Sequence, residues 1–127
     1  MKRTPLLHSE LSGLVAAMGH GDLLVIGDAG LPVPPGVRLI DLAVTRGVPR
    51  FFDVLDAVLA ELTVERSAWA SEASAGLARD LRARALGQTG TVDHDTFKAL
   101  TRDARAIVRT GECTPYANVA LWSGVAF

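Results

Sequence analysis

Few side chains can both give and take a proton near neutrality, and the three histidines of this 127-residue chain are the first candidates. His20 stands in Gly19-His20-Gly21, where flanking glycines leave the ring sterically open for acid–base work. Its plainer role is to end a helix, where the dipole favours a cation and glycine supplies the turn. Asp28, in Gly27-Asp28-Ala29-Gly30, follows a very apolar run and so sits where open α/β sheets bind ligands. Bonding the amides of its own loop is an equally good use for it. His94 and Lys98 are one helical turn apart and share a face that can present two donors to a single polyol, although a solvated helix face explains such a pair too. Tyr116 and Asn118 flank Ala117 and offer a hydroxyl and an amide at strand alternation, suited to hydroxyl recognition unless they serve only their own turn.

Several chemistries are missing from the sequence. There is no H-E-x-x-H, P-loop or G-x-S-x-G string, and Gly27-Asp28-Ala29-Gly30 lacks the G-x-G-x-x-G spacing of a dinucleotide site. Scattered histidines and the lone Cys113 make no metal-ligand pattern, so neither a metal nor a cofactor is expected. Thirteen Lys and Arg against fourteen Asp and Glu give a formal charge of −1, which provides no field for a nucleic acid backbone or an anionic membrane. Lys2-Arg3 imitates the start of a signal peptide, but Pro5, His8, Ser9 and Glu10 break the stretch after it. Nothing nears the roughly 18 apolar residues of a membrane span. A cytoplasmic protein with no membrane partner is expected, and an isolated cysteine suits a reducing compartment.

The elements that must position these residues follow from periodicity. With 49% of residues hydrophobic and 21% charged, residues 1–127 read as one domain. Leu11, Leu14, Val15 and Met18 form a helical stripe after a capping Ser9 and before Gly19. Leu23–Ile26 reads as a buried strand, Val37–Val44 as a second, and Phe51, Leu55, Val58, Leu59 and Leu62 as one face of a helix. Val64–Ala70 is a strand candidate, Ser74–Leu86 a surface helix, and Thr91-Val92 a short extended piece. A helix capped by Asp93 or His94 runs to about Ala104, Ala106–Arg109 is a strand, and Asn118–Phe127 is extended. Strands alternating with helices predict an α/β fold: a single-domain three-layer sandwich with a mainly parallel sheet and helices on both faces.

The strings Gly19-His20-Gly21-Asp22, Asp28-Ala29-Gly30-Leu31-Pro32-Val33-Pro34, Ile40-Asp41-Leu42, Val64-Glu65, His94-Asp95-Thr96-Phe97-Lys98 and the run from Arg109 to Asn118 resemble, in this order, the D-ribose pyranase family. The resemblance spans essentially the whole chain, and Gly30-Leu31-Pro32-Val33-Pro34 is closer to the ribose branch than to the sister L-fucose mutarotases. It implies a cofactor-free isomerase, a mutarotase interconverting β-D-ribopyranose and β-D-ribofuranose, whose subunits assemble into a ring, a pentamer pair forming a homodecamer. By the same resemblance His20 is the catalytic proton donor, and Asp28, His94, Lys98, Tyr116 and Asn118 contact the sugar. The alternatives are a mutarotase for L-fucose or a related monosaccharide, or a non-catalytic sugar-binding accessory protein. One constraint comes from the residues themselves: His20 and Asp28 flank a strand, which at about 3.3 Å per residue separates them by roughly 20 to 25 Å. One monosaccharide cannot span that distance, so if both serve one site, that site lies between subunits.

Overall fold

Helix α1 (Ser9–Ala17) starts one residue earlier than the sequence pattern indicates, because the ring of His8 accepts the Leu11 amide and takes the capping role expected of Ser9. The chain, described over residues 1–127 by a computed structural model, continues into β1 (Leu23–Gly27), β2 (Leu39–Asp41), α2 (Phe51–Leu59) and β3 (Val64–Ala70). It ends with α3 (Ala75–Arg82), β4 (Gln88–Val92), α4 (His94–Leu100), a 3-10 turn (Thr101–Asp103), β5 (Ala106–Arg109) and β6 (Val119–Ser123).

These strands make one six-stranded sheet in the order β2-β5-β1-β6-β3-β4. The pairs β1·β5, β2·β5 and β3·β4 are parallel, while β6 runs antiparallel to both β1 and β3. The sheet is therefore mainly parallel with one reversed strand. The reversal follows from chain length: residues 110–118 between β5 and β6 are too few for a parallel crossover, which needs about a dozen or more.

All of β1 is buried, as the central strand of a sheet covered on both faces must be. Leu24 and Ile26 face α1, α2 and α3 in a cluster with Leu11, Phe51, Leu55 and Leu81, whereas Leu23 and Val25 face the other side with Phe97 of α4. Period-two alternation along the strand thus assigns each residue its layer.

Five further elements differ in extent from the sequence expectation. The second strand shrinks from Val37–Val44 to three residues, and the final extended segment to Val119–Ser123. The third helix stops at Arg82, since Leu86 is buried as an anchor beyond it rather than on its stripe, and Gly87 turns the chain at φ +63°. Beyond that turn β4 runs from Gln88, not only over Thr91-Val92; its polar, largely exposed residues belong to an edge strand and carry no hydrophobic alternation. The fourth helix ends at Leu100 and tightens into the 3-10 turn.

Candidate functional site

The C-terminal ends of β1, β4 and β5 and the start of β6 share one edge of the sheet, and most of the predicted residues meet there. Asn118 is fully buried; its Oδ1 accepts the backbone amide of Asp28 at 2.8 Å, which leaves Nδ2 buried with no partner. Gly27 permits this approach, for a Cβ there would stand 2.9 Å from Asn118 Oδ1. Asp28 Oδ1 accepts the Gly30 amide at 2.8 Å, so this carboxylate also orders its own loop.

Tyr116 does not alternate along a strand with Asn118, as the sequence reading had it. It sits in a tight turn at φ 62°, and its carbonyl accepts the Asn118 amide at 2.8 Å. The turn presents the Tyr116 ring edge-on to His94, with ring centroids 5.1 Å apart. His94 opens α4, where Asp93 caps the helix and both carboxylate oxygens of Glu72 accept the His94 amide at 3.1 Å. His94 Nδ1 is likewise buried and unpartnered. Lys98 lies one turn along the same helix, pairs with Asp95 at 3.0 Å, and lines a cleft of about 460 Å³ with Pro32, Pro34 and Arg102.

Glu112 escaped sequence reasoning, because a lone glutamate in a polar loop looks like any solvated charge. Its carbonyl accepts the Ala29 amide at 2.8 Å, while its carboxylate accepts the Phe51 amide at the start of α2 at 3.2 Å and the Thr114 hydroxyl at 2.9 Å. Burial pushes this carboxyl up, but those hydrogen bonds together with nearby Arg50 outweigh it and hold Glu112 below the usual glutamate value. Glu112 therefore ties the Asp28 loop to α2 and to the turn carrying Tyr116. A cleft of about 420 Å³ beside it is lined by Arg50, Asp53, Ser74 and Thr114 among others.

His20 is not at this edge. It occupies the Gly19–Asp22 turn at the opposite end of β1, where the Gly21 amide bonds the Ser123 carbonyl at 2.8 Å and Asp22 accepts both the Gly19 amide and Arg105. His20 Nε2 lies 2.6 Å from Glu65 Oε2, with the two side chains 60% and 46% exposed. No cleft of the single chain is lined by Asp28, His94, Tyr116 or Asn118. No three His, Cys, Asp or Glu side chains gather as metal ligands, and no helix is long and apolar enough to cross a membrane.

Unpartnered buried amide and imidazole atoms thus lie at one end of the sheet and an exposed imidazole–carboxylate pair at the other, in a small α/β protein with a single sheet. The chain belongs to the RbsD / FucU transport protein family, whose pattern matches residues 1–126. It is 62% identical over 130 residues to a D-ribose pyranase of Paracidovorax citrulli, with all of both chains covered. The structure of Bacillus subtilis RbsD complexed with D-ribose superimposes with a TM-score of 0.94 at 43% identity, again over the whole of both chains. A fucose mutarotase from Streptococcus pneumoniae in complex with L-fucose matches with a TM-score of 0.81 at 25% identity, also covering both chains fully.

Proposed function

We propose that this chain catalyses the exchange of β-D-ribopyranose and β-D-ribofuranose, acting in the cytoplasm as a D-ribose pyranase. The observation that carries the reading is two orphaned polar atoms, Asn118 Nδ2 next to Asp28 and His94 Nδ1 against Tyr116: buried groups of this kind require a partner, and sugar hydroxyls supply both donors and acceptors. Full-length likeness to D-ribose pyranases at 62% and 57% identity favours ribose over fucose.

The reaction is redox-neutral and adds no atoms. A proton arrives at the ring oxygen as the anomeric hydroxyl loses one; the bond from C1 to the ring oxygen breaks, leaving the open aldehyde. Rotation then brings a different hydroxyl to C1, and the same proton movements in reverse close the new ring. His20 is assigned as the acid at the ring oxygen, a contribution of about 10² to 10⁴ in rate. Asp28 fixes a sugar hydroxyl or assists proton removal, Tyr116 and Asn118 hold hydroxyls, and Lys98 with His94 stabilises negative charge developing on oxygen.

His20 and Asp28 lie at opposite ends of β1, and roughly 20 Å of extended chain separates them. The assignment therefore needs His20 from one subunit and the Asp28 edge from its neighbour, which a ring of subunits supplies, and we propose paired pentamers.

Saturation-exchange NMR on equilibrated D-ribose tests the reading. Wild-type protein is expected to transfer saturation between pyranose and furanose anomeric signals, and His20→Ala to abolish the transfer. No acceleration by wild type, with transfer on L-fucose instead, would reassign the substrate; sugar binding without exchange would make this an accessory protein.

A further inference from the structure

We propose that Glu65 is the positioning residue of His20: its carboxylate accepts the Nε2 proton and so leaves Nδ1 as the nitrogen that meets the sugar. The proposal rests on the assignment of His20 as the acid.

Local backbone structure is specialised to deliver this carboxylate. Strand β3 pairs Val64 with Ser123 and Arg66 with Trp122 of β6, and the register shifts between them, so Glu65 is the extra residue of a bulge. Regular alternation from buried Ser67 and Trp69 would point residue 65 toward the face covered by α1, α2 and α3; the bulge turns it away, and it reaches His20 Nε2 at 2.6 Å. Two glycines make room for it. A Cβ on Gly87, which has φ +63°, would stand 2.2 Å from the Glu65 carbonyl, and one on Gly124 would stand 2.9 Å from Glu65 Cβ. A bulge and two close glycine approaches, one to its backbone and one to its Cβ, thus converge on residue 65. Stability does not account for them, since an ion pair this open to water contributes little.

The chemistry does account for them. A carboxylate on one ring nitrogen fixes the tautomer and orientation of an imidazole and stabilises the imidazolium that must form when it takes a proton back. The other acid nearby, Asp22, is already engaged by Arg105 and the Gly19 amide, which leaves Glu65 as the partner of the ring.

Long-range ¹H–¹⁵N spectra of the ¹⁵N-histidine-labelled wild-type protein, at a pH where His20 is neutral, are expected to show the Nε2–H tautomer. In Glu65→Gln that preference should weaken. Ribose exchange should slow about 10- to 100-fold, with ribose affinity retained. Wild-type exchange in Glu65→Gln or an Nδ1–H tautomer in wild type would each overturn the proposal. If wild-type protein itself left ribose exchange unchanged, the assigned reaction would fall, while the tautomer spectrum would still decide the pair. That spectrum needs no substituted protein, so a variant that folds poorly does not decide the outcome.

Discussion

Asn118 does two jobs with one amide. Its oxygen receives the Asp28 backbone, and its nitrogen is left buried without a protein partner. Asn118→Ala removes both and strands the Asp28 amide, a loss on the order of 1–3 kcal/mol. Urea unfolding should report that cost, and calorimetric titration should show ribose affinity lowered about tenfold or more. Unchanged affinity would remove Asn118 from the sugar-contacting set. At this scale the sequence singles out candidates wherever a residue's type and neighbours are unusual together: a histidine between glycines, an aspartate closing an apolar run. Glu65 and Glu112 carry ordinary labels, one in a strand pattern and one in a polar loop. Their placement depends on a bulge and on a helix start far along the chain, neither of which leaves a local trace.

Among the elements, the loop from Thr110 to Asn118 connects most, because Glu112 within it caps α2 and receives the Ala29 amide. A carboxyl held below the usual glutamate value binds its proton less readily in the folded chain than in the unfolded one. Its stabilising contribution is therefore complete above the unfolded value, about pH 4.3, and is lost as pH falls through the lower folded value. Glu112→Gln should abolish that contribution to the acid dependence. Thermal unfolding of the variant, followed from about pH 6 down to pH 3, should fall less steeply than that of wild type. Parallel slopes would mean that the carboxyl is not perturbed. The buried strands β1, β3 and β5 and the four helices were legible because burial imposes a periodicity on sequence. Strand β4 was mostly illegible because its exposed residues are not under that constraint, and the reversal of β6 is carried by the length of the loop before it rather than by any periodicity.

With His20 and Asp28 assigned to one sugar, as proposed, the whole molecule sets a geometric problem that assembly solves. The Asp28–Asn118 edge and the Glu65–His20 edge are separated by the length of the sheet's central strands, so one chain holds two half-sites that cannot serve the same sugar. In the proposed ring, each half-site would meet the complementary half of a neighbour. Subunits carrying His20→Ala and subunits carrying Asp28→Ala should each be inactive alone. Dissociated, mixed in equal amounts and reassembled, they should recover activity, because random mixing places an intact His20 edge against an intact Asp28 edge at about one quarter of the interfaces. Ribose exchange measured on the mixture would then approach about one quarter of the wild-type rate per subunit, and a tenfold excess of either variant would reduce it further. No recovery from a mixture shown to have exchanged subunits would mean that the two edges do not share a substrate, and His20 would lose its place as the acid.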